Sequence, residues 1–487
     1  MSVFEKFAIR TLLGGIILNM IIYTHYTPPN LFNYFYSYFQ SINENIFSKE
    51  IVEILFSLSN IVYLLFIPLG IILYLNYNLN TNTISGISLI LIIISNYLLI
   101  KSYTNQILIL LLIIKSSGSG LCFLPILLEI WKYYPNMKGL ITGIFFIGKG
   151  IAESFYEYIS IKIINPKEEK MNQNENMYPP NINDKFLNYL RTVFIFLCGI
   201  SIICQFLIYP YSIYGHHFYQ NQSEFKEKMQ SGIIQDFYIL ASPKNYGNKP
   251  RNNKNKEPIF SLIVSCPFLQ FICIYFLIMT FNSLDLTSIQ RLGLLMNIEN
   301  NFISFSNKVW KFTNVFWSII SGFLLDNIKF KKFFMHLLLT LIFLISTSYF
   351  ILHLKFGYLL FNIISSVVDS INNIFVPISF SIVYGNETGL LLYGISLIMI
   401  NSFLIYRDFI RQILNEKIYY FVFCFICTIF YMFALITLCL FEQKKHIYKR
   451  KDEEIDQNSS NDLSYGQELS DINLCNPKEF NEYKQEK

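Results

Sequence analysis

Six ionisable residues stand where a charge is costly. Lys115, Lys149, Glu153, Lys311 and Asp369 lie at or near the middle of long apolar runs, and Arg407 lies nearer the end of another. A charge at the centre of a bilayer needs a partner or a task. An ammonium held there can bind an anion, and a carboxylate held there can carry a proton. Each residue also has a structural alternative. Lys149 and Glu153 are spaced i, i+4 and share one helix face, where they either neutralise each other or open to a substrate or a proton. Lys115 precedes SSGSG, whose small residues leave room beside its ammonium as an anion anchor, a relay or a packing element. Asp369, with Asn372 and Asn373 close by, is a candidate proton site or the partner of Lys115 or Lys311. Lys311 either contacts an anion or snorkels outward. Asp408 can neutralise Arg407 near the surface.

These residues need long helices to hold them. The 487-residue chain is 53% hydrophobic and 15% charged, against roughly a quarter charged in a soluble domain. Its net charge of +5 is small and spread out, which gives nucleic-acid recognition no footing. The nine cysteines are scattered, and the CxxC pair Cys424 and Cys427 lies inside an apolar run without a second pair. They read as structural, with no metal site and no cofactor implied. The six histidines, His216 and His217 among them, form no catalytic arrangement, so the chain does not read as an enzyme. The N-terminus runs into an apolar stretch without a small-residue cleavage site, and reads as a first span rather than a removed signal. The aromatic content of 17% reads as helix packing and interfacial belts.

A membrane-crossing helix needs about 20 mostly apolar residues. Twelve spans are expected, at 9–27, 51–75, 83–102, 105–131, 139–164, 187–210, 258–281, 303–325, 333–353, 357–383, 388–410 and 418–441. Basic residues at the span ends set the orientation. With a cytosolic N-terminus, the loops 132–138 and 326–332, the middle loop 211–257 and the segment after the last span place their lysines and arginines inside. The opposite side receives only a thin scatter. Both termini are therefore expected in the cytosol, as are the sequons at Asn221, Asn386 and Asn458. The tail 443–487 is polar and mixed in charge, and reads as disordered.

The spans repeat. YPNMKGLITGI starts at Tyr134 and YGNETGLLLYGI starts at Tyr384, and each joins the fourth span of a set to the fifth. The same offset takes Gly322 to about Gly70, at the end of the second span. The expected organisation is an N-terminal six-helix half (1–214), a cytosolic middle loop (215–257), a C-terminal six-helix half (258–442) and the tail. Gly322, Asp326, Lys329, Lys331 and Lys332, in GFLLDNIKFKK, resemble the cytosolic loop signature of the major facilitator superfamily: Gly, three residues, Asp, then a basic cluster. Glycine permits close helix approach, and the Asp can face the positive end of a neighbouring helix. The first half departs from the signature, with Tyr74 at the Asp position and no basic cluster after it. The resemblance implies an all-α membrane protein of twelve helices in two pseudo-repeats, with a central cavity.

The stretch 118–150 is similar to the fourth and fifth helices of the monocarboxylate-transporter and oxalate/formate-antiporter branch. The matching residues are Gly118, Gly120, Trp131, Tyr134, Pro135, Lys138, Gly139, Leu140 and Gly143, supported by Asn165 and Pro166, by Arg10, Gly14 and Gly15, and by the SYF at 37–39. That branch often carries an arginine for the substrate carboxylate four residues before the loop glycine. Ser318 stands there instead, while Asn314 fits. The resemblance also implies that spans three, six, nine and twelve face lipid, and these four have no charge in their middles.

The expected function is alternating-access secondary transport by a monomer in the lipid bilayer. The expected solute is a small organic anion such as a monocarboxylate, with proton coupling left open. Another small solute, such as an amino acid, sugar or drug-like compound, stands as the alternative. A receptor on a transporter scaffold is a further one. No address signal separates the plasma membrane from an organelle membrane.

Overall fold

The computed structural model describes residues 3–23, 29–42, 49–101, 105–166, 179–211, 296–327 and 354–413, with isolated positions between 263 and 293. All belong to one compact unit, Met1–Tyr431. They form ten helices and no strand: α1 (Val3–Ile22), α2 (Pro29–Ile42), α3 (Lys49–Asn76), α4 (Thr81–Lys101), α5 (Asn105–Tyr133), α6 (Lys138–Ile164), α7 (Pro180–Leu207), α8 (Asn300–Asn327), α9 (Lys355–Tyr384) and α10 (Asn386–Ile413). Helices are what lipid demands, because each backbone N–H and C=O must be satisfied within the segment. Nine of the ten coincide with expected spans. The span at 258–281 is described only at isolated positions, and the spans at 333–353 and 418–441, the middle loop and the tail lie outside the described residues.

Helix α2 is an addition to the expectation. Its sequence, PNLFNYFYSYFQSI, is too short and too polar to read as a span. It packs on the start of α7, where Ser37 Oγ donates to Asn183 Oδ1 at 3.0 Å and Phe35 meets Phe186 edge-on at 6.1 Å.

Five segments among the described residues are long and apolar enough to cross a membrane: Leu58–Asn76, Thr81–Lys101, Ile107–Tyr133, Asn181–Leu207 and Lys355–Ile382. Helix α7 exposes Ile195, Ile202 and Phe206, as a helix facing hydrocarbon does. The chain is an integral membrane protein.

The helix pairings repeat along the chain. Helices α3, α5 and α6 begin at 49, 105 and 138, and α8, α9 and α10 begin at 300, 355 and 386, which is 251, 250 and 248 residues later. Helix α3 packs on α5, and α8 on α9. Helix α6 packs on α8, and α10 on α3. Each pairing maps onto its counterpart under the offset. The joints differ: four residues link α5 to α6, while Gly385 alone links α9 to α10. Gly385 has φ of +83°, a conformation that suits glycine.

The α6–α8 contact is very close. A Cβ on Gly143 would lie 2.1 Å from the Ser318 carbonyl oxygen, and one on Gly322 would lie 2.3 Å from that of Gly139. Small residues on both faces let the two backbones touch. Ser318, which stands at the arginine position of the carboxylate-transporting branch, is buried in this contact.

Candidate transport site and its clasp

At one end of the bundle, the signature residues tie the earlier helices to the later ones. The Asp326 carboxylate accepts from the Gly139 N–H at 2.8 Å and the Leu140 N–H at 2.7 Å. These are orphan donors of the first turn of α6, and a carboxylate satisfies them and meets the positive end of the helix dipole. Burial raises the Asp326 carboxyl above its ordinary range, against the pull of those two donors and of Lys138. Lys138 donates to Asn386 Oδ1 at 2.5 Å and to Ser381 Oγ at 3.4 Å. Burial lowers its ammonium below its ordinary value, and Asp326 opposes that. Lys138 and Asn386 belong to the two copies of the repeated segment, so the copies touch each other here. We call this end the clasp.

Trp131 is fully buried beside the clasp and donates from Nε1 to Thr142 Oγ1 at 2.9 Å. Pro135 forms the exposed turn between α5 and α6. Lys329, Lys331 and Lys332 lie outside the described residues.

The first-half counterpart is built differently. Tyr74 donates to Glu129 Oε2 at 2.7 Å, and Thr81 donates to the same oxygen at 3.0 Å. The Tyr211 N–H donates to Glu129 Oε1, and Lys132 donates to the Tyr74 hydroxyl. Glu129 thus ties α3, α4 and α5 to the end of α7. The sequence reading passed over it. Its signal was an acid one turn inside an apolar run, with Thr81 and Tyr74 at the ends of neighbouring spans.

The charged residues of the apolar runs meet halfway down α6. Lys149 reaches Asp369 on α9, with Nζ 3.5 Å from Oδ2. Both side chains are largely buried, and the pair joins a helix of the first set to one of the second. Asn314 on α8 donates to Asp369 Oδ2 at 2.6 Å, and the Ser370 hydroxyl donates to the Asn314 carbonyl at 2.8 Å. The Tyr23 ring, just after α1, lies 5.4 Å from Lys149 Nζ. Lys311 pairs with Glu157 and also approaches the Glu153 carbonyl at 3.4 Å. Glu153 sits between them, in the field of Lys149, Lys311, Asp369 and Glu157.

The structure adds partners to the sequence reading. Asp369 pairs with Lys149, so Lys149 reaches across to α9 besides sharing a helix face with Glu153. Lys311 does not snorkel outward; it is buried against Glu157, which the sequence reading passed over. The signal for Glu157 was the 149, 153, 157 spacing on one face of α6.

Lys115 is half-buried on α5. The small residues after it serve packing: a Cβ on Gly118 would lie 2.8 Å from the Ser88 carbonyl oxygen, and one on Gly120 would lie 2.2 Å from that of Tyr63. Arg407 falls within α10, and its side chain is outside the described residues. Among the described residues no His, Cys, Asp and Glu group could hold a metal.

No family model and no curated protein matches this sequence. Solved structures do. A double-tryptophan mutant of XylE is 12% identical with a TM-score of 0.62, over 90% of this chain and 95% of that one. The fucose:proton symporter FucP of E. coli is 12% identical with a TM-score of 0.57, over 87% and 97%. The proton:xylose symporter XylE bound to 6-bromo-6-deoxy-D-glucose is 10% identical with a TM-score of 0.54, over 90% and 95%. The chain has the major facilitator fold. Within that fold, the Lys149–Asp369 pair lies between helices of the two repeats, where a polar cluster reaches both.

Proposed function

We propose that this chain is a proton-coupled secondary transporter of a small organic anion, working by alternating access. The observation that carries the reading is the buried Lys149–Asp369 ion pair between the two helix sets. Removing one member of such a pair leaves an uncompensated buried charge. The pair therefore opens when both members gain a new partner together. A proton on the Asp369 carboxylate satisfies one, and a substrate carboxylate on the Lys149 ammonium satisfies the other. Asn314 holds Asp369 in place on α8. The loaded centre is then as neutral as the empty one, and either can turn between the two sides. One proton moves with each anion. Glu153, between two lysines, is a second seat for the proton.

In this reading the clasp end faces the cytosol, as the basic loops suggest, with both termini on that side. Gly322 and Asp326 close that end by docking α8 on the start of α6. The similarity of the 118–150 stretch to the monocarboxylate branch supports an anion.

A second reading is a sugar or another neutral solute. Lys149 would then stay on Asp369, and Asn314, Asn372 and Tyr23 would supply hydrogen bonds. The buried Asn372 amide, with no partner for either of its atoms, favours it. The solved neighbours named as sugar symporters agree with it.

Uptake into proteoliposomes separates the two readings. The panel is labelled lactate, pyruvate, formate, a neutral amino acid and glucose, each with and without an inward proton gradient. Saturable lactate or formate uptake that rises with the gradient and is lost in Asp369→Asn is the expected result. Uptake of glucose alone discards the anion and keeps the carrier.

A further inference from the structure

Between α8 and α9 runs a line of buried polar atoms that the protein leaves without partners. Asn307 Oδ1, Trp310 Nε1 and both amide atoms of Asn362 have no hydrogen-bond partner, and neither does the Ser306 hydroxyl. All four residues are at least nine-tenths buried; Asn362 is 0% exposed and Trp310 6%.

Their placement follows from helix register. Helices α8 and α9 run side by side in the same direction. Near their starts, the side chains of Ile303 and Tyr358 both crowd Gly293. Further along, Asn314 contacts Ser366 and Asp369 and receives the Ser370 hydroxyl. Facing residues thus differ by about 55 in number all along the contact. Asn307 then faces Asn362. Asn307 and Trp310 precede Asn314 by seven and four residues and share its face. Asn362 stands four residues before Ser366 and seven before Asp369, on the opposing face. Asn362 also lies beside the Tyr358 hydroxyl. At the starts of the helices, the exposed Glu299–Lys355 ion pair, at 2.8 Å, marks the mouth of the line.

A dry seam of this kind is expensive. Each buried donor or acceptor without a partner keeps its full desolvation penalty, and apolar side chains would fill the same contact without that cost. Buried polar atoms that lack protein partners are met by ordered water, which needs two to four polar neighbours. This line supplies them at each turn. From Asn362 to Asp369 is about 10 Å at 1.5 Å per residue, a distance that three or four waters about 2.8 Å apart bridge.

We infer that a hydrated seam between α8 and α9 delivers protons to Asp369 from the end opposite the clasp. The inference rests on the proton-coupled reading above. It makes Asn307, Trp310 and Asn362 positioning residues for the waters. It gives the proton a route inside the second helix set, apart from the one the solute takes between the sets. The charged groups acting on Asp369 and its neighbour Glu153 are Lys149 on α6 and Lys311 on α8, with Glu157 engaged by Lys311.

Two measurements test it without relying on a known solute. The first is X-ray hydroxyl-radical footprinting of the purified wild-type protein, comparing Trp310 with Trp131. Both tryptophans are buried, but Trp131 is hydrogen-bonded to protein. Trp310 is expected to label several-fold faster, and equal labelling overturns the seam. The second is the protonated-carboxyl band in infrared spectra after a pH drop, identified by its loss in Asp369→Asn. Its rise is expected to slow several-fold in the Asn307→Leu/Asn362→Leu double variant, and an unchanged rate overturns the route. Fast Trp310 labelling and a slowed band in a protein that takes up no lactate or formate would keep the seam and discard the anion reading.

Discussion

The two copies of the repeat use one helix pairing in two ways. In the first, α3 and α5 meet backbone to backbone. A Cβ on Gly70 would fall 1.9 Å from the Leu121 carbonyl oxygen, and one on Gly120 would fall 2.2 Å from that of Tyr63. In the second, α8 and α9 meet through side chains. By the 250-residue offset, Gly118, Ser119 and Gly120 correspond to Val368, Asp369 and Ser370. Removing the side chains gives a dry, rigid contact. Supplying polar ones gives a contact with chemistry in it. The clasp shows the same divergence. Asp326 reaches across to cap α6, whereas Glu129 spends its carboxylate among its own helices and leaves the crossing to Lys138. The first copy reads as the frame and the second as the moving chemistry.

The contrast can be broken at its rigid side first. Gly70→Val puts carbon into backbone that cannot yield, and the cost should exceed the roughly 1–3 kcal/mol usual for overpacking. The expected result is loss of monodisperse protein on size exclusion after detergent extraction. Next comes the charged centre of the second copy. Lys149→Ala should cost about 3–5 kcal/mol by stranding Asp369, read as a fall in unfolding temperature. The double variant Lys149→Ala/Asp369→Asn should regain most of that stability while transporting nothing. At the clasp, Asp326→Ala should cost about 1 kcal/mol, as loss of a helix N-cap does, and Asp326→Asn less, both measured by thermal shift. The smallest effect sharpens the comparison most. Asn362→Leu should change stability by less than about 1 kcal/mol, because it removes an amide held by water alone and fills the space with carbon. A large destabilisation by Asn362→Leu would show that the α8–α9 seam is packed as tightly as α3–α5.

Much of this was legible in the sequence. Apolar run length located nine of the helices, and the Gly322–Asp326 spacing anticipated a carboxylate facing a helix start. The 134 and 384 segments gave the repeat. Partner choice was not legible. Periodicity says which residues share a face, but it does not say that α6 and α9 converge at mid-depth, so the Lys149–Asp369 contact could not be read from it. Glu129 escaped because it stands two residues from the end of an apolar run, where an acid needs no explanation until its neighbours are known, and Glu157 because its partner Lys311 lies on a distant helix. Helix α2 escaped because its stability comes from tertiary contact with α7, which composition does not show.

The cap on α6 has a consequence for biosynthesis. Asp326 follows Gly139 by 187 residues. At roughly 5–20 residues per second, about 10–40 s of synthesis separates the helix start from the residue that satisfies it. Through that interval the first turn of α6 must borrow its acceptors from water or lipid headgroups. A chain that stalls before Asp326 displays two bare amides and a row of glycines. Both disappear together when α8 docks, so one late contact reports to the cell that the two copies have found each other.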